Sequence, residues 1–400
     1  MPDPSGLLLI LLPLAAASGW FLARMRPAEE QEPGLDPRLT EGLGLLVNNQ
    51  TDAAIDLFMN IAEAEPETAE LQLTLGNLFR RRGEIDRALR VHHQLSQNLS
   101  LPPLQRNRAR FELAGDYLRA GILDRAQSLF QELADQGVFL EASLRALARI
   151  HEQQRDWEKA IDTLRWLASA KGKDQGTTIA HYHCELAQLA LREGESKEFQ
   201  RQLKKARAAD AKNVRASFLS VEAARAAGDP KAALQSLLLI PEQDRRFIPE
   251  ILQSLAELSE ELGNPEQYVQ VLQSLAQYKE GVTAAIALAQ WRQARGEQGL
   301  ETLLAEIRQF PNWLALQAAL DLPWPEADGE ARVQDLLQGF KAALEPLLAR
   351  RIRYLCEQCG YGSGMLNWQC PSCKSWGSQS PVLDLRLAQM AAPRPGIQLG

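Results

Sequence analysis

The chain of 400 residues is long enough for two to four structural units, and 45% hydrophobic with 24% charged residues is the composition of an ordered globular protein. Its net charge of −7 argues against a protein that coats nucleic acid, because such proteins neutralise phosphates with an excess of Lys and Arg. Aromatic residues make up only 6%, while Ala, Leu, Gln, Glu and Arg are abundant, which argues against an all-β fold.

The first element is an uncharged apolar run over residues 6–23. As a helix it covers about 27 Å, which is enough for a bilayer core. A cleaved signal peptide needs positive charge before the apolar run, and the only charged side chain there is Asp3, although the small residues 15–17 resemble a cleavage site. We therefore predict a retained, single-pass transmembrane anchor over residues 1–26.

The residues that flank this run set its orientation. Arg24 and Arg26 follow the span, and positive charge is retained on the cytoplasmic side. Residues 27–37 are rich in Pro and acidic side chains and are predicted to form a tether. The rest of the chain is thus expected to face the cytoplasm.

A repeat of about 34 residues follows the tether. Residues 75–79, LGNLF, are followed by Gly83 and Ala88, which matches the tetratricopeptide signature. The same frame predicts turns 33 to 39 residues apart. The predicted turn positions are Asn49, Gly83, Gly121, Arg155, Gly194, Gly228, Gly263 and Gly296.

The repeats predict an all-α superhelical solenoid. Each repeat is a helical hairpin that cannot bury its apolar face alone, so that stacked hairpins form a continuous core and a concave groove. About eight repeats occupy residues 38–325, and residues 326–352 are predicted to be a closing helix.

Cationic side chains mark the predicted groove. Residues 69–150 carry twelve Lys and Arg against nine Asp and Glu, a net charge of +3, which leaves −10 for the rest. This favours an acidic or phosphorylated ligand, or a negatively charged protein segment; the alternative is a merely solvated helix face. The candidate groove residues are Asn77, Arg80, Arg108, Phe111, Arg145 and Arg149.

Two histidine clusters are interpreted as structural. His181 and His183 lie two residues apart on a helix and point away from each other, so they cannot both ligate one ion. The adjacent His92 and His93 fail for a similar reason. Motifs for a P-loop, a nucleophile elbow, a zinc protease or a dinucleotide site are absent from the sequence, and an enzyme is not indicated.

The C-terminal region carries two C-x-x-C pairs separated by ten residues, Cys356, Cys359, Cys370 and Cys373. Two such knuckles form a tetrahedral four-thiolate site for one Zn or Fe ion, and the sequence does not decide between the two metals. Because the protein supplies all four ligands, a structural site over residues 353–380 is favoured over a catalytic one. Residues 381–400 are predicted to be a flexible tail.

The anchor, the repeats and the segment CEQCGYGSGMLNWQCPSC together resemble the lipopolysaccharide assembly protein B family of Gram-negative inner membranes. The resemblance spans nearly the whole chain and implies that the cysteine module is rubredoxin-like and packs against the repeats. The four cysteines match the family's metal ligands one by one. The closing helix suggests that the module braces the end of the array.

The resemblance also implies a function. Such proteins present the lipid A deacetylase to a membrane AAA metalloprotease, and a lipopolysaccharide-sensing, sulfatase-like inner-membrane regulator restrains them. They also accompany lipopolysaccharide export proteins. A non-catalytic scaffold for synthesis and export enzymes is the first alternative, and a zinc-ribbon nucleic-acid protein the second. The sequence leaves the oligomeric state open, a homodimer included.

Overall fold

The computed structural model describes residues 69–172, 174–310, 312–323 and 352–383, with single helical positions within 41–57 and 337–342. Among these residues, no helix has the length and apolar character needed to cross a bilayer. The predicted anchor and tether lie outside the described residues, as do most of the closing helix and the tail beyond residue 383.

The described helices pair into antiparallel hairpins within two compact units, Met1–Val138 and Phe139–Gly400. The first unit contains α1 (Ala69–Arg82), α2 (Ile85–Gln97), α3 (Pro103–Arg119) and α4 (Leu123–Asp135). The second unit contains α5 (Leu140–Gln153), α6 (Trp157–Lys171), α7 (Gly176–Glu193), α8 (Ser196–Ala209), α9 (Val214–Ala226), α10 (Pro230–Leu238), α11 (Ile240–Gln243), α12 (Ile248–Glu261), α13 (Pro265–Ala276), α14 (Val282–Gln293), α15 (Gly299–Gln309) and α16 (Trp313–Asp321). Short 3₁₀ turns occupy Arg245–Phe247 and Lys279–Gly281.

The hairpin turns confirm the predicted repeat frame at every described position. Gly83, Gly121, Gly194, Gly228, Gly263 and Gly296 all have φ between 63° and 83°, and Arg155 has φ 57°. This left-handed conformation ends the first helix of each hairpin and disfavours side chains with a Cβ, which explains the six glycines. Asn49, the remaining predicted turn, lies outside the described residues.

A buried polar network joins the hairpins of the first unit. The fully buried His92 on α2 lies 2.5 Å, from Nδ1 to Oδ2, from the equally buried Asp116 on α3. Arg80 on α1 donates to the other oxygen of Asp116 at 3.1 Å. A Cβ on Gly76 would lie 2.3 Å from Nε2 of His92, so only glycine allows this approach. The pair supports the structural interpretation of His92.

The second unit has an apolar core that extends from Val214 to Leu288 and includes the fully buried Ile248, Ile251 and Leu255. A separate cluster around Ala180, Cys184 and Phe199 packs α7 against α8 and α9. Such contacts between consecutive hairpins are what a repeat array predicts.

The C-terminal module is a three-stranded antiparallel sheet. β1 (Tyr354–Cys356) lies between β2 (Gly362–Ser363) and β3 (Gln379–Pro381). Tyr354 is paired with both Ser363 and Pro381, and Cys356 with Gln379. The sheet places the first cysteine at the end of its central strand, where the first knuckle begins, and the second knuckle lies between β2 and β3.

Candidate metal centre and partner-binding surface

The two knuckles bring the four predicted ligands together. The Sγ atoms of Cys356, Cys359, Cys370 and Cys373 all lie within 4.8 Å of one another, and two of the Sγ–Sγ separations are 3.7 Å. Zn–S bonds of about 2.3 Å in a tetrahedron require Sγ atoms about 3.8 Å apart. The donor set and its spacing therefore fit a four-coordinate ion, which would cross-link the knuckles and leave no position open for a substrate.

The ionisation of the thiols differs across the cluster. Burial raises the pKa of Cys370 to about 12. Burial also acts on Cys356, but the Ser378 hydroxyl, 3.3 Å from its Sγ, and the backbone N–H groups of Gln358 and Cys359 outweigh it and lower the pKa to about 6. Four thiolates so close together need a cation among them, and a bound metal ion supplies that charge.

Each knuckle ends in the same backbone turn. The N–H of Gly360 donates to the carbonyl of Cys356 at 2.7 Å, and the N–H of Lys374 donates to that of Cys370 at 2.9 Å. Gly360 has φ 70° and Lys374 has φ 60°, so the two turns are related although their residues differ. The glycine at position 360 predicts the positive φ of the first turn. The lysine at position 374 gives no such indication for the second turn.

The turns give a matched pair of substitutions. We expect Gly360→Val to destabilise the module by at least 1–2 kcal/mol, because a branched side chain is strained at positive φ. Lys374→Gly removes the same strain and should leave stability equal or slightly higher. Urea unfolding of both variants, followed by tryptophan fluorescence, measures the difference. Equal destabilisation by the two substitutions would contradict this account.

Trp368 attaches the module to the repeats. Its indole stacks on Phe247 at a centroid distance of 6.0 Å and an interplanar angle of 14°, and it also lies 6.0 Å from Phe218 and 5.9 Å from His181. These partners come from α7, α9 and the 3₁₀ turn before α12. The module therefore contributes to the core of the second unit.

Trp376 provides a second attachment on the same face. Its ring lies 5.7 Å from Tyr182 and 6.2 Å from Trp157, edge to face in both cases, and 5.5 Å from His181. Its Nε1–H donates to Glu152 at 3.3 Å. His181 thus contacts both tryptophans.

Polar contacts surround the two aromatic attachments. Glu152 also accepts from the Tyr182 hydroxyl at 2.8 Å and from the Gln369 amide. The Tyr354 hydroxyl donates to Glu250 at 2.7 Å, and Arg246 pairs with Glu357. Two carboxylates and one guanidinium group of the repeats therefore contact the module.

These contacts correct one expectation. The module does not only brace the end of the array: it contacts α5, α6, α7, α9, α12 and the 3₁₀ turn before α12. Asn312 adds a hydrogen bond at 2.9 Å to the carbonyl of Leu383. The physical reason is the position of the aromatic side chains that receive the two tryptophans, which come from the middle of the array. Their large apolar rings are buried only when the module covers them.

His181 is neutral in this interface. Burial, assisted by the nearby charge of Arg215, lowers its pKa from 6.5 to about 3. Its Nδ1 has no hydrogen-bond partner among the described residues. His183 instead contacts Gln202 at 2.7 Å, and the Cys184 thiol lies 3.6 Å from Asn213. The geometry agrees with the structural interpretation of this cluster.

The lowered pKa predicts a pH dependence. Between pH 3 and 6.5 the unfolded chain binds more protons than the folded chain at His181, so stability falls as the pH drops below 6.5. At pH 5 the loss relative to pH 8 is about 2 kcal/mol from this residue. His181→Phe should abolish that part of the slope. Urea unfolding of both proteins at the two pH values measures it, and equal slopes would exclude His181 as the cause.

The candidate groove residues of the first unit are engaged within the protein. Arg80 bonds to Asn77, Glu112 and Asp116, and both oxygens of Glu70 accept from Arg108 at 2.8 and 2.9 Å. Phe111 lies edge to face with Phe130 at 5.5 Å. Both guanidinium groups are therefore already held in ion pairs within the unit.

The candidates of the second unit, Arg145 and Arg149, line a cleft of about 1220 Å³ together with part of the metal module. Arg145 pairs with Glu141 at 2.9 Å, and Arg149 is exposed. Cys373 and Trp376 of the module line the same cleft. The structure thus brings two of the six candidates next to the metal centre.

Sequence reasoning missed the receiving surface for the module. The repeat signature leaves open the positions of four aromatic residues that receive the module. They are Trp157, Tyr182, Phe218 and Phe247. The available signal was the concentration of aromatic residues near His181 together with two tryptophans inside a cysteine module that has little other apolar content.

Comparisons with known proteins agree with this architecture. Residues 354–381 match a family model described as a rubredoxin metal binding domain, and residues 39–91 and 143–176 match tetratricopeptide repeat models. The lipopolysaccharide assembly protein B of Escherichia coli strain K12 is 33% identical over 385 residues, which cover 95% of this chain and 98% of that protein. The chain belongs to the lipopolysaccharide assembly protein B family.

A second curated relative is consistent with that assignment. The lipopolysaccharide assembly protein B of Haemophilus influenzae is 31% identical over 94% of this chain and 98% of its own length. Among solved structures, the tetratricopeptide protein YrrB is 16% identical and covers 47% of this chain and 92% of its own, with a TM-score of 0.31. Membership in the lipopolysaccharide assembly protein B family confirms the resemblance seen in the sequence.

Proposed function

We propose that this protein is an adaptor, anchored in the inner membrane by residues 1–26 and facing the cytoplasm, that promotes degradation of the lipid A deacetylase by a membrane AAA metalloprotease. The name of the relatives supports a role in lipopolysaccharide assembly. The observation that carries the adaptor role is the use of the metal module as a structural part of a repeat array, beside an exposed polar cleft.

The metal centre supports a non-catalytic role. Its four cysteines would supply a complete tetrahedral donor set, so a bound ion would stabilise the module and leave no open position for a reactant. Both tryptophans of the module are committed to the repeats. These features support a structural role for the metal centre.

Membrane attachment would make such an adaptor effective. An anchor confines the repeats near a membrane protease and raises the effective concentration of a captured substrate without any new contact. The same anchor would bring the protein near the sulfatase-like regulator and the lipopolysaccharide export proteins. These partners are part of the proposal.

The half-life of the lipid A deacetylase after depletion of this protein tests the proposal. We expect the half-life to lengthen, and re-expression of the wild-type chain to restore it. The half-life of an unrelated substrate of the same protease is the matched control and should not change. An unchanged deacetylase half-life with impaired lipopolysaccharide assembly would instead support the non-catalytic scaffold.

A further inference from the structure

The cleft within the second unit has the dimensions of a binding site for an extended segment. Its volume is about 1220 Å³, and its walls come from α5, α6, α7 and both knuckles of the metal module. Sites for small molecules usually have about 300–1,000 Å³. The cleft is therefore larger than a small ligand would fill.

Cationic side chains outnumber acidic side chains in the lining of the cleft. Two carboxylates line the cleft, and both are engaged: Glu152 accepts from the Tyr182 hydroxyl and from the module, and Glu185 pairs with Arg215 at 2.7 Å. Five cationic residues line the cleft and all five are exposed, although Arg145 also pairs with Glu141. The five are Arg145, Arg149, Arg155, Arg192 and Lys374.

The uncharged side chains favour a polypeptide over a phosphate group. Gln153, Gln175 and Gln358 line the cleft, and each amide can both donate and accept. A peptide backbone uses both capacities, whereas a phosphate only accepts. The rings of Trp157 and Trp376 add apolar surface to the cleft. Cations, amides and rings together match an extended peptide with acidic side chains.

We propose that this cleft binds an acidic, extended segment of a partner protein, with Arg149, Arg192 and Lys374 as the cations that meet its carboxylates. The inference rests on the adaptor function proposed above and deepens it by locating the surface that captures a partner. Because Lys374 belongs to the metal module, the module then contributes directly to partner binding.

A labelled peptide of five Glu-Gly repeats provides the probe. The full chain is placed in phosphatidylcholine nanodiscs, and binding is followed by fluorescence anisotropy. We expect the triple variant Arg149→Gln, Arg192→Gln, Lys374→Gln to bind about tenfold more weakly than the wild type, because three attractive charges are lost. The control variant Lys197→Gln, Lys204→Gln, Lys231→Gln loses the same charge at exposed positions outside the cleft and should bind as the wild type does.

Three outcomes would overturn the proposal. The first is equal binding by the cleft and control variants when both keep the metal content and helicity of the wild type. The second is equal or tighter binding of a Lys-Gly repeat peptide. The third is loss of the difference between wild type and cleft variant in nanodiscs rich in phosphatidylglycerol, which would assign the cleft to lipid headgroups.

The result of the peptide-binding experiment can be distinguished from the result of the deacetylase half-life experiment. A lengthened deacetylase half-life on depletion, combined with equal peptide binding by the two variants, would keep the adaptor and refute the cleft as its capture site. Strong peptide binding that depends on the cleft, with an unchanged deacetylase half-life, would support the cleft and refute the degradation role.

Discussion

Cys359→Ser is expected to release the metal ion and unfold the module. Structural zinc contributes about 10–16 kcal/mol of apparent binding free energy to small zinc modules, and that binding energy is folding energy. Without the ion, Trp368 and Trp376 should leave their aromatic partners on the repeats. We expect a red shift of tryptophan fluorescence, loss of amide protection in residues 352–383, and increased aggregation, while most helical signal persists.

Cys184→Ser is the matched control for this experiment. Its thiol is buried and contacts Asn213 rather than the cluster, so the variant should keep the wild-type metal content. Elemental analysis of the wild type also decides between Zn and Fe. A Cys359→Ser protein with protected module amides and unshifted fluorescence would refute metal-dependent docking.

Trp376→Ala should be the most damaging single change at the interface. The substitution removes a large ring packed against Trp157, Tyr182 and His181, and it leaves Glu152 without one donor. Burial and cavity effects for such substitutions cost about 3–5 kcal/mol. Urea unfolding of the wild type and variant gives the difference in free energy.

Two further substitutions make this result specific. Trp376→Phe retains a ring but loses the Nε1–H bond to Glu152, so its cost should be intermediate. Trp166→Ala is the control, because Trp166 is 36% exposed, and it should cost clearly less than Trp376→Ala. Comparable losses at Trp166 and Trp376 would show that the module does not depend on this contact.

Local features of the fold followed from the sequence because their signals are local. A turn needs one residue that tolerates positive φ, and the regular spacing of the glycines at 83, 121 and 194 indicates where the turns lie. Arg155 fits only through the spacing, since its side chain gives no sign of a φ of 57°. The metal ligands could also be predicted from the sequence, because two short C-x-x-C motifs define the cluster.

Long-range features could not be predicted in the same way. The contact between Glu152 and Gln369 joins positions 217 residues apart, and nothing local in either segment indicates the other. The groove was inferred from an excess of cations, but the sequence does not show that Arg80 and Arg108 form ion pairs with Glu112 and Glu70. Pairing of this kind depends on the packing of separate helices, which the repeat frame alone does not determine.

The module packs on helices that are synthesised long before it, which has a consequence for biosynthesis. Translation at about 5–20 residues per second separates Glu152 from Gln369 by roughly 10 to 40 s. During this interval the emerging repeats expose Tyr182, Phe218 and Phe247 without their tryptophan partners. Final consolidation of the second unit must therefore wait until the last strand leaves the ribosome and metal is loaded, so metal supply during synthesis helps to set the yield of native protein.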